Sequence, residues 1–293
     1  MTIDMKKGRY WDEGITLVDG CTPCSPGCDH CWSAAHAHRF YREGEPCHES
    51  GIFTDDNGRF NGDIMIHPER LTRFNTRKPK VFSLWNDLFH KSVPPQFIDD
   101  VFSEMRFKGA SHNTFLVLTK QPQNISRDYF NIMQHTIGNL YLGLTVCNQH
   151  EADEKILIFL QVPGKKFLCI EPMLGPINLT DLPVSNESNH TINCLLKNDD
   201  DHFYNSHPTI DAVILGGETG PGARPLHPDW VRSIRNQCAA ADVPFFFKGW
   251  GKQLPRLKEC FGNEIVSSYS ALAIDVKRLL DGRTHDELPW VMS

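Results

Sequence analysis

The sequence predicts an α/β fold, a (β/α) barrel with six to eight parallel strands and a small C-terminal appendage. Three observations carry that expectation. Short apolar runs alternate with amphipathic stretches, and strand alternating with helix means a parallel sheet. The runs are nearly continuous in apolar residues, as strands covered on both faces are. Polar or reactive residues follow the ends of the runs, and α/β folds place their sites at the carboxyl ends of the strands.

Eight candidate strands appear in order. Ile15–Val18 precedes a cysteine loop. Asp63–His67 (DIMIH), Val81–Trp85 (VFSLW), Thr114–Thr119 (TFLVLT) and Leu140–Val146 (LYLGLTV) follow. Phe167–Glu171 (FLCIE), Ala212–Leu215 and Pro244–Lys248 (PFFFK) complete the set. Helices are expected between them. Pro68 opens one at a favoured position. Gln96–Phe107 carries Phe97, Val101, Phe102 and Met105 at helical spacing. Trp230–Ala241 carries Val231, Ile234 and Cys238 on one face. The polar run ends are Cys21, His67, Asn86-Asp87, Thr119-Lys120, Thr145, Glu171, Glu218 and Lys248. Residues 181–211 are polar and acidic, and read as an insertion or surface loop between strands six and seven. Residues 1–250 therefore form the barrel with its N-terminal cysteine loop. Residues 251–293 form the appendage, with a helix over Ala271–Leu280.

Composition narrows the function classes. The chain has 293 residues, 23% charged and 40% hydrophobic, an ordinary globular balance. A net charge of −6 argues against nonspecific coating of nucleic acid, which draws on clustered Lys and Arg. It leaves room for a local basic patch or a single-nucleotide substrate. No apolar run approaches the roughly 20 residues of a membrane span. The first residues, MTIDMKKGRYWDEG, have no apolar core for a signal peptide. The expected compartment is a reducing cytoplasm, where clustered cysteines are metal ligands or redox groups.

Ten cysteines are present, and four of them cluster in GCTPCSPGCDHCW, at positions 21, 24, 28 and 31. Their spacing is C-x2-C-x3-C-x2-C. Three readings compete. A zinc site takes four thiolates, usually from two C-x2-C pairs farther apart than these. A closed ferredoxin-like cluster uses all four for electron transfer. An open [4Fe–4S] cluster uses three, and Cys24, Cys28 and Cys31 have the C-x3-C-x2-C spacing of radical S-adenosylmethionine (SAM) enzymes. There one iron is left for the SAM amino and carboxylate groups, and an electron from the cluster yields a 5′-deoxyadenosyl radical. The protein's part is to position the reactants and exclude water. The loop enters a helix expected over Ser33–Arg42, with Pro26-Gly27 as its turn, so the barrel is read as TIM or radical SAM in type. Trp32 is expected to pack beside the cluster and shield it. Cys169 and Cys238 fall in apolar patterns and read as core; Cys47, Cys147, Cys194 and Cys260 are scattered.

The chain also resembles a phage-associated, three-Cys-motif, radical-SAM-like family of unassigned activity. The matching segments are GCTPCSPGCDHCW, VFSLWNDLFHKSVP, LVLTKQP, LGLTVCNQ, CIEPMLGPINL, ILGGETGPGARPLHPDWVRSIRNQC, VPFFFKGWG and LLDGRTHDELP. In that family the first motif cysteine corresponds to Cys21, and the position of Cys24 is usually aliphatic. The resemblance thus implies Cys21, Cys28 and Cys31 as the ligands, while spacing alone points to Cys24, Cys28 and Cys31. The phage association implies a nucleobase, nucleotide or modified DNA base as substrate.

Other candidates sit at run ends. Glu218 lies in GGETGPGAR, where glycines let backbone approach a ligand closely and Arg224 suits a carboxylate or phosphate; a structural Glu–Arg pair is the alternative. Asn86, Asp87 and His90 are expected to bind SAM or substrate, or Asp87 to cap a helix. Glu171, before Pro172, would hold the SAM ribose or act on substrate; a buried paired carboxylate is the alternative. Lys120 and Lys248 would meet a phosphate or carboxylate, or extend as solvated stems. His36 and His38 read as surface residues. The expected catalytic set is Glu218, Asp87 and Lys248; the expected cofactor set is Asn86, Asp87, Glu171 and Glu218; the expected metal set is Cys21, Cys24, Cys28 and Cys31. The expected partners are SAM, its substrate and a reductant such as flavodoxin or ferredoxin, with no membrane. The rival expectation is a non-catalytic zinc or closed-cluster module that binds a partner or nucleic acid.

Overall fold

Apolar runs of five or six residues pair side by side and in parallel in this mixed α/β fold, which also carries two short antiparallel ribbons. The computed structural model describes residues 3–40, 53–107, 111–129, 138–184, 190–196, 209–255 and 276–291. The chain divides into two units: one is essentially Trp11–Leu144, the other Ile3–Tyr10 with Thr145–Ser293.

In the first unit β1 (Glu13–Thr16) is followed by β2 (Val18–Gly20), α1 (Trp32–Phe40), β3 (Ile64–Ile66), β4 (Val81–Trp85), α2 (Pro95–Phe107), β5 (Thr114–Thr119) and β6 (Leu140–Thr145). Strands β1, β4, β5 and β6 pair in that order, all parallel, with Ile15 opposite Leu84, Phe82 opposite Phe115 and Val117 opposite Leu142. The interiors of β4 and β6 are fully buried and that of β5 nearly so, as continuous apolar runs require, whereas β1 buries only Ile15. Phe74, Phe82 and Phe115 pack as a triad with ring centroids 4.9–5.7 Å apart, contacts of about 0.5–1.5 kcal/mol each beyond their burial. Helix α2 starts at Pro95 and buries Phe97, Ile98, Val101, Phe102 and Met105, one stripe of its surface. The helix expected from Pro68 is a 3-10 run, Pro68–Phe74.

The second expected strand takes a different place. Its core, β3, pairs antiparallel with β2, Val18 opposite Ile66, in a two-stranded ribbon outside the parallel pairings. Ile64, Met65 and Ile66 are all only half-buried, so this run lacks the two-sided cover of a central parallel strand. The first expected run divides: Ile15 and Thr16 pair in parallel in β1, whereas Val18 belongs to the antiparallel β2. The remaining six runs lie in parallel pairings.

In the second unit α3 (Gln149–Leu160), β7 (Lys165–Ile170), β8 (Leu182–Pro183), β9 (Thr191–Ile192), β10 (Ala212–Gly216), α4 (Pro228–Ala240) and β11 (Phe245–Gly249) follow. Strand β10 is central and parallel to both β7 and β11, with Ile214 opposite Cys169 and Phe246. The register slips between Leu215 and Gly216, which brings Gly216 opposite Gly249. Asn148 caps α3 by accepting from Glu151 N at 3.0 Å. Helix α4 buries Val231, Ile234 and Cys238, the face expected. Cys169 is buried as well.

The described ends of the 181–211 insertion form the β8–β9 ribbon; residues 185–189 and 197–208 lie outside the described residues. Of the helix expected over Ala271–Leu280, residues 271–275 lie outside them too, and Val276–Arg278 is one 3-10 turn. The tail beyond it packs into the second unit. Trp290 sits edge-to-face on Phe167 at 5.5 Å and donates to Tyr10 O at 3.0 Å. No helix among the described residues is long and apolar enough to cross a membrane.

Candidate metal centre

The cysteine loop starts where β2 can go no further. Gly20 has φ 82°, and a Cβ there would lie 2.0 Å from Asp63 O. The glycine lets β2 press on its neighbour and turn at once into Cys21. Gly62 N donates to Cys21 O at 3.1 Å, which ties the turn down. Ser25 Oγ accepts from Gly27 N at 3.1 Å and caps the 3-10 turn Pro26–Cys28, so Pro26-Gly27 forms the expected turn. Cys31 N donates to Cys28 O, and Cys31 O accepts from Ala35 N at 3.0 Å, so Cys31 leads directly into α1. An ion pair of Asp29 with Arg59 at 2.8 Å holds the outer side of the loop.

Cys21, Cys28 and Cys31 are partly buried and Cys24 is exposed. Cys21 and Cys31 pack against Ala34, Ala37, Phe53 and Phe60, an apolar wall that covers one side of them. Cys28 has its thiol lowered to about 6, chiefly by a hydrogen bond from Cys24, with help from the Lys120 cation and backbone donors and against burial. Cys21 is pushed up to about 12, chiefly by burial, then by the charges of Asp87 and Cys28. The four thiols therefore form one electrostatic group with Cys28 at its hub, facing Lys120. Among the described residues no three His, Cys, Asp or Glu side chains gather as a single metal ion needs. A [4Fe–4S] cluster makes a different demand, three or four thiolates spread over separate irons, and the chemistry of this donor set is compatible with it: soft sulfurs, one ionised near neutrality, with a nearby cation and an apolar wall.

Loops after β4 and β5 brace this centre. Asp87 is buried and accepts from Phe89 N at 3.0 Å, Thr119 Oγ1 at 2.9 Å and Lys120 N at 3.1 Å. Burial raises its carboxyl above the ordinary range against those donors. Asp87 thus ties the carboxyl ends of β4 and β5 together, and it caps no long helix. Asn86, at φ 61°, donates to Val18 O at 2.7 Å and accepts from Ser33 Oγ at 2.6 Å, linking β2 to α1. His90 lies 2.7 Å from Thr22, inside the cysteine loop. Of the expected residues, the structure brings Asp87, His90 and Lys120 to the thiols.

The second unit holds the remaining expected residues at the carboxyl ends of its own strands. Glu171 and Lys248 form an ion pair at 2.5 Å. They flank Gly216, where a Cβ would come within 3.3 Å of Lys248 Cβ and 3.4 Å of Glu171 Cδ, so the pair bridges β7 and β11 across β10. Glu218 is 4% exposed, and Arg224 closes on it through N at 2.8 Å, Nε at 3.0 Å and a second guanidinium nitrogen at 2.6 Å. The close approach that Gly217 permits is to the chain itself: a Cβ there would lie 2.1 Å from Trp250 O.

Two sequence expectations shift. Trp32 is 52% exposed and meets Trp85 edge-to-face at 5.0 Å, so it does not lie buried as a shield. His36 is exposed as expected, whereas His38 is half-buried and bonds Thr54 Oγ1 at 3.0 Å. Thr22, Ser33 and Asp19 were not legible as site residues, since a lone Thr, Ser or Asp carries no motif. Cys47 and Cys260 lie outside the described residues.

Parallel strands and helices, with a four-cysteine loop leaving β2, define a mixed α/β protein. The chain belongs to a family described as a protein of unknown function (DUF5131), whose model matches residues 7–289. Comparison with curated proteins and with solved structures gave no match.

Proposed function

We propose that this protein is a radical SAM enzyme on a (β/α) barrel of the radical SAM type, with Cys28, Cys31 and one of Cys21 or Cys24 holding a [4Fe–4S] cluster. The supporting observation is the setting of the thiols: one loop, leaving β2 and braced by the loops at the carboxyl ends of the parallel strands β4 and β5, carries all four, with Cys28 ionised near neutrality beside Lys120. When bound, a cluster with one open iron supplies a docking point for the SAM amino and carboxylate groups and the electron that splits the sulfonium bond.

The chain's own residues do the rest. Lys120 offsets the charge of the ionised thiolates. Ala34, Ala37, Phe53 and Phe60 shield one side of Cys21 and Cys31 from water. Asp87 and Asn86 fix the loops that carry Lys120 and Ser33, and are positioning residues on this reading. Glu171 and Lys248 present a charged pair that a ligand carboxylate or amine would exchange with. Glu218 holds the 218–224 loop through Arg224. The electron donor is a small redox protein of the flavodoxin or ferredoxin kind, and the setting is a reducing cytoplasm.

Anaerobic reconstitution followed by reduction in the presence of SAM tests the reading. The expected result is a brown protein with iron and sulfide at about four each per chain, and release of 5′-deoxyadenosine. A colourless protein with one zinc, or a cluster whose spectrum ignores SAM, overturns it.

A further inference from the structure

Beside the cysteine loop, within the first unit, lies a cavity of about 150 Å³. Trp32 and Trp85 form one side of it, and Asp19, Arg70, Ser33 and Asn86 supply polar atoms. It shares Ala37, Phe53 and Phe60 with the wall on which Cys21 and Cys31 pack.

The aromatic side is rigid and partly uncovered. Trp85 is fixed over β1, because its ring occupies the space above Gly14: a Cβ on that glycine would fall 1.9 Å from Cζ2. Trp11 abuts Trp85 edge-on at 6.3 Å. Trp32 stands on Trp85 edge-to-face, which leaves half of the indole exposed, the most exposed of the chain's described large apolar side chains. A fixed, half-uncovered indole at the mouth of a cavity is a stacking platform.

The polar side is also built. Asp19 is 8% exposed and is held by His67 Nε2 at 2.8 Å, while His67 Nδ1 meets Glu69 at 2.9 Å. Arg70 donates to Thr16 O at 2.7 Å and lies 3.5 Å from Asp19. A buried carboxylate is an acceptor for ring N–H or exocyclic amino groups. The volume bounds the ligand's size: about 150 Å³ is room for one small aromatic ring. A flat group with hydrogen-bonding edges and the size of one ring system is a nucleobase.

We propose that this cleft binds a single nucleobase, stacked on Trp32 with its N–H edge toward Asp19. As a substrate site it rests on the radical SAM reading; as a binding site it stands independently. The test is calorimetric titration of the four ribonucleosides and thymidine into the purified full chain, with Trp32→Ala, Trp32→Phe and Asp19→Asn in parallel. At least one nucleoside is expected to bind. Trp32→Ala should weaken it roughly ten- to hundred-fold, Trp32→Phe should restore most of the loss, and Asp19→Asn should change which nucleoside is preferred. Unchanged thermal melting and iron loading in Trp32→Ala confirm that the loss is local. No binding at millimolar nucleoside, or binding indifferent to Trp32→Ala, overturns the proposal. Nucleoside binding without SAM cleavage would refute the radical SAM reading alone; SAM cleavage without nucleoside binding would refute the cleft alone.

Discussion

His90 Nε2 and Thr22 Oγ1 lie 2.7 Å apart, and through this contact the β4 loop grips the cysteine loop. His90 Nδ1 accepts from Ser92 N at 3.2 Å, so the proton sits on Nε2 and the imidazole donates to Thr22. Thr22→Val keeps the shape, removes the acceptor and strands a buried N–H. That substitution should cost about 1–2 kcal/mol of stability and lower iron loading after reconstitution, both readable from a urea midpoint and an iron assay. Burial also lowers the His90 pKa from its ordinary value. The unfolded chain then binds more protons below about pH 6.5, so stability should fall as the pH drops from that point. Wild-type stability and loading in Thr22→Val would show that the contact holds nothing.

Cys28, its thiol lowered to about 6 chiefly by the Cys24 hydrogen bond, is largely thiolate at pH 7. In metal-free protein it should be the first of the loop thiols to take iodoacetamide at pH 7, followed by peptide mass spectrometry. Cys21, pushed up to about 12, should react last. The Cys24 hydrogen bond is the largest cause of the lowering and Lys120 a smaller one. Cys24→Ala should therefore slow the Cys28 reaction more than Lys120→Ala does. Equal rates across the loop thiols would contradict the described electrostatics.

What the sequence disclosed was local. The cysteine loop, its Pro26-Gly27 turn and the entry to α1 all lie within one short stretch, so spacing and turn chemistry announce them. Six strand runs were legible because two-sided burial leaves a nearly continuous apolar run. DIMIH has the same letters but a one-sided place, and only its pairing with Val18–Gly20 settles that. Asp87 reaching Thr119 and Lys120 depends on β4 lying beside β5, a pairing that no spacing in the chain displays. Trp32 misled for a related reason: sequence nearness to Cys31 suggested cover, yet Trp85 draws the ring to the cleft. The Glu218–Arg224 pair was written in the motif, but whether it served a ligand or the loop rested on distances alone.

Arg224 supplies three donors to the buried Glu218 carboxylate. Arg224→Ala removes two of them and leaves the charge largely unmatched. With Arg224 one-third exposed, the expected loss is about 2–3 kcal/mol, below the range for fully buried pairs. Glu218→Gln should cost less, because the amide oxygen still accepts from Arg224 N. If the pair only holds its loop, Glu218→Gln should reduce SAM cleavage no further than its small stability loss explains. A hundred-fold drop in cleavage with unchanged melting would return Glu218 to the reacting site.

Lys166 stands inside β7 at 2% exposure, its amine bonded to Gly164 O at 2.8 Å. Burial lowers it to about 8, against the pull of Asp211, while a lysine in the unfolded chain titrates near 10.4. Below about pH 8 both states carry the proton, and the folded protein bears the full cost of a buried cation. Between about 8 and 10.4 the unfolded chain binds more protons than the folded one, so this group makes stability rise with pH across that window. Lys166→Met keeps the stem's packing without the charge. It should stabilise the protein by about 2 kcal/mol at pH 7.5 and by much less at pH 10, measured as denaturant midpoints of the two proteins at each pH. Raised thiols such as Cys238 also titrate on the alkaline side, but they are common to both proteins and cancel in the difference. An advantage of the same size at both pH values would mean that packing, not the buried charge, separates the variants.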